Sequence, residues 1–112
     1  MAFREDLDAL ILSCLATGPA HGYELSKRIR TLSEEALSVA EGKLYPALHA
    51  LENEGDIASE WVAQGNKPPR KVYELTPQGN ETLKQKHEQW RVFSRGIEAI
   101  LQPRKLIPEV TA

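Results

Sequence analysis

Lys43, Tyr45, Pro46 and His49 stand close together in the chain. Lys67, Arg70 and Lys71 form a second group, with no acid between Gly65 and Tyr73. Ammonium and guanidinium groups donate to phosphate oxygens and to guanine edges. A phenol hydroxyl reaches phosphate, and an imidazole reaches phosphate or a base. The chemistry these types offer is anion recognition, of the kind a nucleic-acid duplex requires. The plain alternative is a solvated helix face and a polar hairpin tip.

Catalysis finds no support. His21, His49 and His87 are scattered, with no helical i, i+4 pair and no metal-ligand spacing. Cys14 is the single cysteine and falls on an apolar helical face, where a small buried hydrophobe is expected. Gly18-Pro19-Ala20-His21-Gly22 lacks the lysine and the spacing of a phosphate loop. The reading is a non-enzyme without cofactor or metal.

The chain has 112 residues, which is one domain's worth. Apolar residues make up 41% and charged residues 27%, a globular composition. No apolar run approaches the roughly 20 residues a membrane span needs. The acid-bearing start, Met1 to Asp6, does not resemble a signal peptide. A cytoplasmic protein with no membrane partner is the expectation.

The net charge is −2, which excludes a uniformly basic coat. Local basic faces remain, because binding depends on where charge sits. Lys27, Arg28 and Arg30 outnumber Glu24 on one segment, whereas Glu52, Glu54, Asp56 and Glu60 gather on another.

The elements that must position these groups follow from periodicity. Leu7, Leu10, Ile11, Cys14 and Leu15 predict a helix over 5–17, ended by Gly18-Pro19. A second helix runs from His21-Gly22 to Leu32, with Leu25, Ile29 and Leu32 as its stripe. Pro46 places a third helix start near Glu41 or Gly42, because proline is tolerated in a first turn. Leu44, Leu48 and Leu51 form that helix's buried stripe, and Gly55 caps its end. Ile57–Val62 and Lys71–Leu75 predict a β-hairpin whose tip, 64–69, is longer than a two-residue turn and stiffened by Pro68-Pro69. A short third strand is expected at Ser38-Val39-Ala40. Thr76-Pro77 opens a last helix running to about Leu101.

The fold class is mainly α with a small β-hairpin: a winged helix-turn-helix plus a long C-terminal dimerisation helix. The expected division is a winged helix-turn-helix domain over 1–76, the dimerisation helix over 77–102 packed on it, and a flexible tail over 103–112. In that plan the third helix enters the major groove and the helix before it crosses the backbone. The DNA-binding set is then Lys43, Tyr45, Pro46 and His49 on the third helix, Lys67, Arg70 and Lys71 on the wing, and Lys27 and Arg28 on the second helix. In the last helix Leu83, Trp90 and Ile97 recur every seven residues, with Phe93 and Ile100 at companion positions and Leu101 at the end. These six residues are the expected homodimer interface. A winged-helix module that binds protein and not DNA is the alternative reading.

Three strings carry a family resemblance: residues 18–25 (GPAHGYEL), 42–55 (GKLYPALHALENEG) and 70–79 (RKVYELTPQG). In this order they resemble the PadR family of bacterial transcription regulators, in its short form with a single C-terminal helix. The resemblance implies a homodimer on a palindromic operator of double-stranded DNA, usually as a repressor. It implies that Lys43, Tyr45, Pro46 and His49 lie at the DNA face, and that Arg70 and Lys71 match the basic wing. The stiff tip Asn66-Lys67-Pro68-Pro69 departs from the family's glycine-rich wing. Some relatives hold flat hydrophobic compounds between subunits, and Trp90 resembles the aromatic they use. A small aromatic ligand at Trp90 is the corresponding expectation.

Overall fold

A computed structural model describes residues 3–103, with side chains from Leu7 onward. The chain order is α1 (Phe3–Leu15), β1 (Ala20–His21), α2 (Gly22–Leu32), α3 (Glu41–Glu54), β2 (Ile57–Gln64), β3 (Lys67–Leu75) and α4 (Pro77–Leu101). The strands form one antiparallel sheet in the order β1-β3-β2. The architecture is a winged helix-turn-helix followed by one long helix. The tail expected over 103–112 lies, beyond Pro103, outside the described residues.

The core forms where the apolar stripes converge. Leu7, Ile11, Leu12 and Leu15 of α1 meet Leu25 and Ile29 of α2, Leu44, Leu48 and Leu51 of α3, and Ile57 and Tyr73 of the sheet. Cys14 is buried among them. Burial raises its thiol pKa, against a smaller opposite pull from Arg28. That is the chemistry of an inert core residue.

Several boundaries differ from the periodicity. α1 closes at Leu15 because the next amides tighten, Thr17 to Cys14 and Gly18 to Leu15. Leu32 lies exposed at the last position of α2, beyond the core, so the α2 stripe is Leu25 and Ile29. The third strand is not at Ser38-Val39-Ala40. It is β1, where Ala20 and His21 pair with Tyr73 and Val72. The chain leaving Gly18-Pro19 is already extended there, and His21 then caps α2, its Nδ1 accepting from the Glu24 amide.

The wing is longer than expected. Its turn is two residues, Gly65-Asn66, between the paired Gln64 and Lys67. Pro68 and Pro69 belong to β3 instead of the tip. β1 pairs only with Tyr73 and Val72, so the distal part of β3 has an open edge, and proline is tolerated on such an edge. A register shift between Val62 and Gln64 falls opposite this segment.

Pro46 also departs from its expected place. α3 begins at Glu41, so Pro46 lies in the second turn. Its ring removes the amide that would have bonded the Gly42 carbonyl.

α4 is locked to the end of α3. Thr76 caps α4 by accepting from the Gly79 amide at 3.0 Å and donates to the Gly55 carbonyl at 2.7 Å. Asp56 is only 4% exposed, and its Oδ1 accepts from Gln78 Nε2 and Thr82 Oγ1. Gln78 also donates to the Glu54 carbonyl. A Cβ at Gly79 would stand 1.9 Å from the Asp56 carbonyl oxygen, so this joint requires glycine. A buried carboxylate is stable here because it is hydrogen-bonded on arrival.

Candidate nucleic-acid interface

α3 sorts its residues by face. Leu44, Ala47, Leu48 and Leu51 are buried, whereas Lys43, Tyr45, Pro46 and His49 are exposed. Helical spacing explains the split, since the buried set recurs at three and four residues.

Tyr45 is 44% exposed, so it serves two environments. One ring edge and the hydroxyl pack on Gly22 at the start of α2. A Cβ there would lie 2.6 Å from the Tyr45 hydroxyl oxygen. The absent side chain at Gly22 is therefore what lets α2 and α3 close with the tyrosine between them.

Beside this face, Glu52 ties α3 to the wing. It accepts from the Ser59 hydroxyl of β2 and pairs with Lys71 of β3 at 3.1 Å. These bonds, the Ser59 hydroxyl first, hold the Glu52 carboxyl below the usual carboxylate range. Lys71 Nζ also lies 5.5 Å above the Tyr73 ring. Burial raises the Tyr73 phenol pKa, with Lys71 opposing. Lys71 thus fastens the wing to α3.

Arg28, one of the expected DNA-binding set, is engaged within the fold. Its guanidinium turns inward to the Cys14, Gly18 and Pro19 carbonyls, at 3.2, 2.6 and 3.1 Å. It also meets Thr17 Oγ1 and Glu24 Oε2. These carbonyls belong to the last turn of α1 and the Gly18-Pro19 segment that follows it, where the negative end of the helix dipole attracts a cation. Lys27 on the same helix is exposed, with Nζ 5.3 Å from the centre of the Tyr23 ring. At the wing, Lys67 and Arg70 are exposed and form no ion pair among the described residues. Their cationic heads extend from the hairpin with Lys71 at its base.

Leu83, the first of the expected interface residues, packs within its own chain. It is partly buried against the chain's own core. Trp90, Phe93, Ile97, Ile100 and Leu101 are exposed, and Trp90 and Phe93 touch with ring centroids 5.6 Å apart. From His87 to Leu101 every residue but Ser94 is exposed. Among the described residues no group of His, Cys, Asp and Glu could hold a metal. No described helix is long and apolar enough to cross a membrane.

Two residues that shape this face, Glu52 and Gly22, give no local signal in the sequence. Glu52 was assigned only to an acidic cluster, because its partners Ser59 and Lys71 are remote in sequence. Gly22 carries no side chain to attract notice. Trp61, within the strand expected over Ile57–Val62, is 70% exposed.

Three helices, a basic two-stranded wing and a long last helix with an exposed apolar stripe define a winged helix-turn-helix protein. Residues 11–85 match the Transcriptional regulator PadR-like family. The chain belongs to that family. It is 31% identical over 94 residues to Transcriptional regulator YqjI of Escherichia coli, covering 84% of this chain and 44% of that one. It is 32% identical over 73 residues to Negative transcriptional regulator PadR of Bacillus subtilis, covering 65% and 40%. This chain therefore spans less than half the length of those two relatives. A solved transcriptional regulator from Clostridium thermocellum superposes with a TM-score of 0.80 at 35% identity, covering 89% of this chain and 97% of that one.

Proposed function

We propose that the chain is a dimeric, sequence-specific DNA-binding repressor acting on a palindromic operator. The observation that carries it is the exposure of Lys43, Tyr45 and His49 on α3 beside a wing bearing Lys67 and Arg70. α3 enters the major groove, with Lys43 and His49 at phosphates or base edges and Pro46 against the groove wall. The wing follows the adjacent backbone, where Arg70 reaches the minor groove. Lys27 contributes a phosphate contact from α2. Lys71 acts by holding the wing to α3.

Two copies pair through the exposed stripe Trp90, Phe93, Ile97, Ile100 and Leu101 of α4. Such a stripe left in water favours association. Pairing sets the two α3 helices about 34–36 Å apart, one turn of duplex. The Bacillus subtilis relative is named a negative regulator, which supports repression. The Trp90–Phe93 pair offers a flat aromatic compound a surface between subunits, and binding there would release DNA by altering helix spacing.

The test is duplex binding at two salt concentrations, with Tyr45→Ala as control. The expected result is tight, salt-sensitive binding to the fragment upstream of the chain's own gene, preferred over random duplex and lost in the variant. Absence of salt-sensitive retention on any duplex would overturn the reading.

A further inference from the structure

We infer that Trp61 is an additional DNA contact, its indole lying against the sugar-phosphate backbone between the α3 groove site and the wing tip. This rests on the DNA-binding reading above and assigns it a residue outside the basic set.

The register fixes where Trp61 stands. It pairs with Lys71, while Ser59 pairs with Tyr73 and Ile57 with Leu75. Directly paired residues share a face, and residues two apart on a strand share it too. Ile57, Ser59 and Trp61 therefore line one face with Leu75, Tyr73 and Lys71. That face is turned to α3, because Ser59 and Lys71 both bond Glu52 there. Ile57 and Tyr73 are buried in the core, and exposure then rises along the face to Trp61. Trp61 is the first position of β2 on this face that the helices no longer cover.

Its surroundings have a definite chemistry. Lys71 lies across from it on the same face, whereas Arg70 pairs with the next residue, Val62, and so lies on the opposite face of the hairpin. Lys67 and Arg70 extend beyond it toward the tip. An exposed indole at the root of a hairpin whose tip carries Lys67 and Arg70 suits a partner that is anionic with apolar surface. A deoxyribose-phosphate chain is both: the sugar packs on the ring face, and Nε1–H donates to a phosphate oxygen. An acidic or purely apolar surface would satisfy only one half of this set.

The test uses the full chain labelled with 5-fluorotryptophan and a mixed-sequence duplex at low salt. The Trp61 fluorine resonance is assigned by its loss in Trp61→Phe. The expected result is a shift of that resonance that saturates together with the mobility shift. Trp61→Ala should weaken duplex binding about tenfold, some 1.4 kcal/mol, with its salt slope unchanged because no charge is lost. Thermal unfolding of Trp61→Ala, at an exposed site, checks that the fold is retained. A bound duplex with the Trp61 resonance unmoved and Trp61→Ala affinity unchanged would overturn the assignment. A resonance that instead moves with chain concentration in the absence of duplex would assign the indole to a second copy and overturn it as well. Failure of any duplex to bind would sink the DNA-binding reading itself, and the mobility shift distinguishes that case.

Discussion

The hydroxyl of Tyr45 occupies the space that a side chain at Gly22 would need, 2.6 Å from the position of its Cβ. Two ring carbons lie almost as near, at 2.7 and 2.8 Å, so the conflict involves the ring and not the hydroxyl alone. Gly22→Ala should therefore destabilise the fold by about 1–3 kcal/mol, the usual cost of overpacking. In a Tyr45→Ala background the same substitution should cost much less. A double-mutant cycle by urea unfolding measures the coupling. Equal costs in both backgrounds would show that the two residues do not compete for space.

Arg28 and Arg70 make a controlled pair. Arg28 bonds the carbonyls of Cys14, Gly18 and Pro19, whereas Arg70 is exposed on the wing and forms no ion pair among the described residues. Arg28→Ala should lower stability by about 1–3 kcal/mol through lost charge-assisted bonds, with the salt slope of DNA binding unchanged. The check is urea unfolding beside a salt titration. A reduced slope in Arg28→Ala would return that residue to the DNA interface.

Arg70→Ala should do the reverse. Stability should hold within about 0.5 kcal/mol, as for an exposed site. Affinity should fall for operator and random duplex alike, and the salt slope should drop by about 0.9, one phosphate's worth. Fluorescence anisotropy at several salt concentrations reads both quantities. An unchanged slope would take Arg70 off the phosphate backbone.

Glu52 predicts a pH dependence. Its carboxyl pKa is lowered in the fold by the Ser59 hydroxyl and Lys71. A depressed carboxylate pKa favours folding above the ordinary value of about 4.3, and that gain fades as pH falls through the folded value. Wild type should exceed Glu52→Gln in stability by about 1 kcal/mol at neutral pH. The gap should narrow as pH falls below that ordinary value and close once the lower folded value is passed. Melting curves across pH check it, and a gap independent of pH would assign the effect to packing.

The helices were legible because apolar periodicity and caps are local signals. Gly55 after α3 and Thr76-Pro77 before α4 stand where their chemistry requires. What sequence left hidden depends on contacts between remote segments. β1 exists only because β3 offers Val72 and Tyr73 an open side. Pro68 and Pro69 resemble a loop until the open edge of β3 is known. Arg28 reads as a free cation until the α1 terminus folds back to it, although Glu24 four residues earlier already offered it an inward partner. The same limit applied at Leu83, where the seven-residue spacing marked a helix face without saying which neighbour covers it.

The outer half of α4 gives the last test. Phe93 and Ile97 are both exposed in the single chain, four residues apart on one helical face. A carboxylate placed there meets only water in a monomer but is stripped of water in a paired stripe, which costs several kcal/mol. Ile97→Asp should therefore weaken self-association by at least about 100-fold, near 2.7 kcal/mol, with helix content retained. Sedimentation equilibrium beside circular dichroism separates the two effects. The monomeric variant should also lose preference for paired half-sites while keeping salt-sensitive binding to random duplex, because Lys67 and Arg70 remain in place. A variant that stays dimeric would move the interface off the Trp90–Leu101 stripe.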